Sequence, residues 1–324
     1  MAHKCLIISP RDSDYIAGIS SPIPFKAAVP SGDWTQYDVF FERQKFAWDT
    51  DGCVIFTAQE SFDAQMDYFI SSGQISAGLL GPFMSMGYMD ANSSDGKPHF
   101  HSSPRFLQIL TGNGFNGNPL PAPWDAMRKY GCLPWTDLPF DSSMSPQEYI
   151  LASSITPEMY SKAAQFLSLI GGKNSVQYHW IINNDPTNLT ALQAARQQAP
   201  VCLGIAVDAG GWNVIEPPIA TGAPAHSVQN YNQNSAGEMV LDHYVPFDKI
   251  LQFGYPINYA LQGVLSLSYT PPISPNPTPV SPQPPSAPTL PPQANISQIR
   301  AFLAAAAQWL QNILVSLKGV FTKP

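Results

Sequence analysis

The sequence carries little charge. Asp, Glu, Lys and Arg make up 12% of its 324 residues, about half of the roughly 25% usual in soluble proteins. Lys and Arg number 16 against 23 Asp and Glu, for a net charge of -7, and no basic cluster interrupts that balance. A phosphate-backbone binder needs a basic stripe, so nucleic acid is excluded as a partner. Cysteine is also scarce: Cys5, Cys53, Cys132 and Cys202 stand far apart, with no CxxC or Cys/His ligand spacing. Structural zinc and a disulfide framework are both excluded on that basis, and no cofactor is expected. The N-terminus, "MAHKCLIISPRDSDY", lacks a long apolar run, since Pro10 and charged residues follow a short one. It is not a signal peptide. Synthesis in a reducing cytoplasm is the expectation.

What is present is a hydrophobic fraction of 44% and an aromatic fraction of 11%, enough for a substantial core. Composition separates three regions. Residues 1–269 have the mixed apolar and turn-forming character of a compact domain. Residues 270–294 open with "TPPISPNPTPVSPQPPSAPTLPPQ", which holds eleven prolines and no charge. Proline supplies no N–H to a helix or sheet ladder, so this stretch is expected to be an extended linker of roughly 70 Å. Residues 295–324 return to helical spacing.

In the first region, Val54, Ile55, Ala58, Phe62, Met66, Phe69 and Ile70 recur at helical intervals, predicting a buried helix over 53–70 that stops near Gly73. Further helices are expected in "SPRFLQIL", "PWDAMRKYG", "SPQEYILASS", "TPEMYSKAAQFLSLIG" and "NLTALQAARQQAP". Strands are expected at 201–209, 225–232 and 238–245, joined by Gly- and Asn-rich turns. A helical half followed by an antiparallel β half is an α+β arrangement with a cleft between the two.

The chemistry turns on "WDTDGCVIFTAQESF". Cys53 stands at the expected start of the buried helix, with Asp49, Thr50 and Asp51 available as caps. A helix N-terminus favours the thiolate, which is the nucleophilic form. The plainer reading is a half-buried structural thiol. The second piece is "AHSVQNYNQNSAGEMVLDHYV", where His226 begins one strand and Asp242 closes the next. Adjacent antiparallel strands can bring the two together, and a carboxylate behind an imidazole fixes its orientation and tautomer. Alternation along the strand points His243 to the face opposite Asp242.

A cysteine at a helix start, then a Gly-Asn loop, then His and an Asp-x-aromatic strand: in that order, these motifs resemble papain-like cysteine peptidases. "DTDGCVIFTAQESF" looks like the nucleophile helix, with Val54 where Trp is usual. "GNGFNGNPLPAPWDAMRKYGCLPWTDLPF" is similar to the Gly-rich substrate loop and the helix after it. "AHSV" matches the His strand, and "VLDHY" stands where Asn-Ser-Trp is usual, with Asp242 for Asn and Tyr244 for Trp. The wording of "ERQ", "DTDGCV" and "DHYVPFDKIL" looks most like the divergent branch of tailed bacteriophages. The resemblance implies a two-lobed papain-like fold and hydrolysis of a peptide or protein substrate. It assigns catalysis to Cys53, His226 and Asp242, and substrate contacts to Gly117, Asn118 and Trp124. Ala47 occupies the usual position of the oxyanion Gln, so Gln44, three residues further back, is the expected donor.

His99 and His101, in "KPHFHSS", are expected in a solvated loop without Asp or Glu partners, and His179 in a strand or surface aromatic cluster. Cys5, Cys132 and Cys202 read as buried thiols, and Gln59 as structural. In the last region Ile296, Ile299, Leu303, Ala306, Leu310, Ile313, Leu317 and Val320 alternate spacings of three and four, a heptad seam. Phe302, Trp309, Leu314 and Phe321 widen its apolar face. Self-association or docking into an assembly through 295–321 is the first expectation, and a membrane-surface helix the second. The expected whole is a tethered peptidase, in the host cytoplasm or in a virion. The alternative is an inactive papain-like scaffold serving in virion assembly.

Overall fold

The computed structural model describes residues 6–7, 28–183, 189–207, 214–218 and 225–267. The chain divides into two units, 1–269 and 270–324. The expectations for the proline-rich linker and the heptad helix fall outside the described residues, as does that for Cys5.

Helix α1 (Cys53–Ser71) is the axis of the first unit. Residues 53–67 are buried all round, Gln59, Glu60, Asp63 and Asp67 included. A helix buried on every side is walled in by other elements. Beyond it the chain turns at Gly73, whose φ of 71° is left-handed. Four further helices follow: α2 (Ala77–Ser85), α3 (Pro104–Thr111), α4 (Pro121–Tyr130) and the single turn α5 (Pro146–Tyr149). The helical part ends with α6 (Pro157–Leu169). Ser103 caps α3 by accepting from the Phe106 N–H, and Thr156 caps α6 by accepting from the Met159 N–H, as short polar side chains before a helix do. The expected helix in "SPQEYILASS" shortens to α5 and one 3-10 turn.

Two small ribbons accompany these helices. Strand β1 (Leu6–Ile7) pairs parallel with β4 (Asn118–Pro119), and β2 (Met89–Asp90) pairs antiparallel with β3 (His99–Phe100). The remaining strands form one sheet: β5 (Val176–Asn183), β6 (Val201–Ile205), β7 (Ile215–Glu216), β8 (His226–Gln233), β9 (Gly237–Leu241), β10 (Asp248–Gln252) and β11 (Tyr259–Leu265). Their order is β5-β11-β6-β8-β9-β10-β7, antiparallel except for β7 against β10. Helix α7 (Leu189–Arg196) lies between β5 and β6 in sequence.

The sheet is buried on both faces, and the side chains alternate accordingly. Trp180 and Cys202 face a core shared with Phe62, Phe100, Trp124 and Phe166. Their neighbours Ile181, Val201 and Leu203 face a second core with Leu192, Val228, Val240 and Leu251. Helix α1 packs against β6, β8 and β11. The architecture is the expected α+β, a helical part followed by a largely antiparallel sheet.

Candidate active site

The turn before α1 is set by its own side chains. The Asp51 N–H donates to Asp49 Oδ1 at 3.0 Å, and the Gly52 N–H to Thr50 Oγ1 at 3.2 Å. Asp51 adopts a left-handed φ of 49°. These residues do not cap the helix: its N-cap is Gly52, without a side-chain cap bond. The expected capping role of Asp49, Thr50 and Asp51 is therefore replaced by that of a brace on the approaching chain. Gly52 is required by space, because a Cβ there would lie 2.5 Å from Gln108 Oε1 and 2.9 Å from Thr50 Oγ1. Gln108 in turn donates to the Thr50 carbonyl at 3.3 Å and to the Gly114 carbonyl at 2.6 Å. It ties the Gly-Asn loop to the segment that delivers Cys53, a link that spacing along the chain does not reveal.

Cys53 is thus the first residue of α1, at the positive end of the helix dipole. Its side chain is fully buried, with 0% exposure.

Across from this helix, β8 begins with His226. Its ring Nε2 donates to Asp242 Oδ1 at 2.8 Å, and both side chains are buried. Register explains the pairing: Gln229 faces Leu241 and Asn230 faces Val240, so His226 reaches the residues just past the end of β9. The expected strand over 238–245 stops at Leu241, and Asp242 lies in the turn to β10. Burial opposes ionisation of Asp242, but His226 and Lys249 outweigh it and hold the carboxyl down at about 2. Lys249 Nζ donates to Asp242 Oδ2 at 2.5 Å and to the Tyr244 carbonyl at 3.0 Å. Tyr244 lays its ring 5.4 Å from that of His226. His243 points elsewhere, although both residues lie past the end of β9 where strand alternation does not apply: Nδ1 donates to the Glu42 carbonyl at 3.1 Å, and burial pushes the ring down to about 4.

Gln44 lies beside this group, but its amide is occupied. Nε2 donates to the Tyr244 hydroxyl at 2.6 Å and to Asp49 Oδ1 at 3.2 Å, while the Tyr244 hydroxyl donates to Asp49 Oδ2 at 2.6 Å. An amide nitrogen has two protons, and both are used. In this conformation Gln44 holds a loop rather than presenting an oxyanion donor.

The expected substrate contacts are corrected. Gly117, Asn118 and Trp124 are all buried. Asn118 joins β4 and accepts from Asn113 at 3.0 Å. Trp124 fills the core against Gly263, where a Cβ would sit 2.1 Å from the indole. A large aromatic side chain gains more by burial here than at a polar groove. The part of the loop that does approach Cys53's turn is Gly114–Phe115, through Gln108 and through the Phe115 ring 5.7 Å from that of Trp48.

The histidine expectation is also overturned. His101 is buried and bridges Asp90 Oδ2 and Glu42 Oε1, each at 2.9 Å. His99 bridges Asp67 at 2.9 Å and Asp95 at 3.0 Å. An imidazole bonded to a carboxylate at both nitrogens is a charged imidazolium, not part of a solvated loop. Spacing missed this because Glu42, Asp67 and Asp90 arrive from three separate segments. Among the described residues no group of three His, Cys, Asp or Glu side chains is arranged to hold a metal. His179 lies inside β5, and burial alone pushes it down to about 4. Cys132 and Cys202 are buried thiols; burial pushes Cys202 up to about 12 and Cys132 well above its ordinary value.

No protein-family model matches the chain, and no curated protein matches its sequence. Solved structures do. Xylellain, a cysteine protease from Xylella fastidiosa, aligns over 83% of this chain and 97% of its own, with 14% identity and a TM-score of 0.52. The fold is papain-like. Two proforms also align. Digestive procathepsin L 3 of Tenebrio molitor larval midgut covers 82% of this chain and 75% of its own at 13% identity, TM-score 0.46. The Amb a 11 cysteine protease, a ragweed pollen allergen, covers 77% and 69% at 14% identity, TM-score 0.47. At these identities the likeness is one of fold. Within the papain-like fold, Lys249 and Gln108 are residues that sequence reasoning missed. A lone lysine in the apolar "KIL" run, seven residues after Asp242, was the available sign of a buried partner.

Proposed function

We propose that the chain is a papain-like cysteine peptidase. The observation that carries this reading is the 2.8 Å bond from His226 Nε2 to Asp242, both side chains buried, on a strand against which the Cys53 helix packs. With Nε2 committed to the carboxylate, Nδ1 is the nitrogen that exchanges a proton with Cys53. Cys53 Sγ attacks the scissile carbonyl carbon and forms a tetrahedral oxyanion. His226 gives its proton to the leaving amine, the C–N bond breaks, and a thioester remains. Water, deprotonated by the same imidazole, then releases the carboxylic acid and regenerates the thiol. The Cys53 backbone N–H is one oxyanion donor, and Gln44 becomes the second if substrate draws its amide away from Asp49 or Tyr244. Substrate entry also requires Cys53, without exposed surface here, to become accessible.

Labelling with iodoacetamide or a thiol-directed epoxide tests the nucleophile. Cys53 is expected to react far faster than Cys132 or Cys202, whose ionisation burial suppresses, and Cys53→Ala is expected to abolish peptide hydrolysis. Equal labelling of all thiols in the native protein speaks against the reading.

Specific observations favour a second reading, a papain-like scaffold without turnover: Cys53 has no exposed surface, and both Gln44 amide protons are engaged. A native protein inert on casein and peptide libraries, with assembly unchanged by Cys53→Ala, supports the scaffold. In either case we propose that residues 295–321 tether the domain to an oligomer or larger assembly, such as a bacteriophage particle. The heptad spacing and the similarity of "DTDGCV" and "DHYVPFDKIL" to the phage branch support that extension.

A further inference from the structure

Asp242 stands between an imidazole and an ammonium group. Oδ1 accepts from His226 at 2.8 Å and Oδ2 from Lys249 at 2.5 Å, and the exposures of the three side chains are 5%, 0% and 1% for His226, Asp242 and Lys249. Lys249 is fixed by β10, where it faces Val240 across the ladder, and by its bond to the Tyr244 carbonyl. Asp242 stands where the resembling sequences carry a neutral amide. A bare carboxylate at hydrogen-bond distance stabilises the imidazolium far more than an amide does, because opposite charge so close favours the protonated ring. An imidazolium held too tightly is a poor acid for a leaving amine, whose protonation needs a pKa near the working pH.

We infer that Asp242 and Lys249 act as one neutral unit, the electrostatic equivalent of an amide: the carboxylate orients His226, and the ammonium cancels the charge behind it. Lys249 is therefore a positioning residue, acting on His226 through Asp242. Among the described residues, the neighbouring elements bring further titratable groups. Tyr244 faces His226 with its ring and gives its hydroxyl to Asp49. His243 turns to the Glu42 carbonyl. Strand β6, in register at Ile205, brings no charged residue. Strand β7, beside β10, brings the buried Glu216. Helix α1 brings Cys53. The catalytic consequence rests on the peptidase reading, whereas the electrostatic inference does not.

The test is an NMR titration of the His226 imidazole in the full chain, assigned with His226→Gln, for wild type, Lys249→Met, Asp242→Asn and the double variant. Lys249→Met is expected to raise the His226 pKa by about one unit or more, and Asp242→Asn to lower it by a comparable amount. The double variant is expected to return within a few tenths of a unit of wild type. It also buries neither charge alone, so it carries the test if Lys249→Met fails to fold. A double variant displaced by about a unit, or a folded Lys249→Met with an unmoved His226, overturns the inference. If the titrations follow the expected pattern while wild type cleaves no peptide, the inference stands and the peptidase reading falls. If wild type is active but the titrations do not move, the reverse holds.

Discussion

Gln44 and Tyr244 lie 200 residues apart in sequence and meet in a 2.6 Å hydrogen bond. Tyr244 passes that contact on in two directions, through its hydroxyl to Asp49 in the turn before Cys53 and through its ring to His226. One side chain therefore links the turn before Cys53 to the His226 imidazole. Tyr244→Phe keeps the ring and removes the link. That removes two hydrogen bonds, one of them to the Asp49 carboxyl group, and a bond of the latter kind contributes about 1.5–3 kcal/mol, so a loss of roughly tenfold to a hundredfold in kcat/KM is expected. Gln44→Ala separates two roles. If the amide swings to the oxyanion during turnover, its loss removes about 10²–10³ in kcat; if it only holds Tyr244 and Asp49, the loss matches that of Tyr244→Phe. Kinetics of the two variants on one peptide substrate decide between them.

Gly52 is the next pressure point. Alanine there sets a methyl 2.5 Å from Gln108 Oε1, and Gln108 cannot swing aside without leaving the Thr50 and Gly114 carbonyls. Overpacking of this kind costs about 1–3 kcal/mol. Gly52→Ala is expected to lower the unfolding free energy measured in urea by that amount and to slow Cys53 labelling. Shortening the obstacle in Gly52→Ala/Gln108→Ala should recover stability but not the tie to Gly114. If Gly52→Ala alone melts like wild type, the contact is not restrictive.

How much of this was readable beforehand depended on distance along the chain. Helix α1 was legible because its periodicity is local, and β8 and β9 because their alternation and turn residues are. His226 and Asp242 followed, since one hairpin joins them. The errors came where several segments converge. His99 and His101 looked like a solvated loop because Asp67, Asp90 and Glu42 are brought in by α1, β2 and the approach to Gln44. Trp124 looked like a groove residue because nothing in its helix says that Gly263 leaves a slot for the indole. Strands β10 and β11 escaped because a lysine and a glutamine, Lys249 and Gln262, interrupt their apolar pattern. Both are buried and bonded, to Asp242 and to the Ala195 and Ala199 carbonyls respectively.

The buried acids around α1 give a pH dependence with a definite sign. Burial raises Asp63 from 3.8 to about 7, against the pull of His101, Ser102 and Gln59, and burial likewise raises Asp38 and Glu60. Between their unfolded values and these raised ones, the folded chain holds protons that the unfolded chain has lost, so stability falls as pH rises. His99 and His101 act the same way, whereas His179 and His243, held down at about 4 by burial, oppose it between about 4 and 6.5. Asp67 raises His99, and for His101 burial is outweighed by Glu42, Asp63 and Asp90; the stability they contribute is complete below about 6.5 and is lost as pH climbs through their folded values. Asp242 opposes this only in strong acid, since its folded value of about 2 stabilises above the unfolded 3.8. Above about pH 6.5, where the two lowered histidines no longer titrate in either state, thermal melts are expected to fall by several degrees as pH rises to 8. Asp63→Asn, though lower throughout because it weakens the bonds to Ser102, should show a shallower slope. A melting temperature that rises from pH 6.5 to pH 8 contradicts the assignment.

The proposed tether makes a separable claim. If 295–321 only gathers domains, the proposed peptidase site gains nothing from it chemically, because every group in the Cys53, His226, Asp242 and Lys249 constellation lies within 1–269. A chain ending at Tyr269 is then expected to keep kcat/KM within about twofold of the full chain and to elute as a monomer. The full chain is expected to elute larger, and Leu303→Asp/Leu310→Asp, which places charge in the seam, to behave like the truncated form. Light scattering during gel filtration reads the mass directly. A full chain that is monomeric alone but co-sediments with anionic vesicles moves the assignment to a membrane surface, the second expectation for this amphipathic stretch.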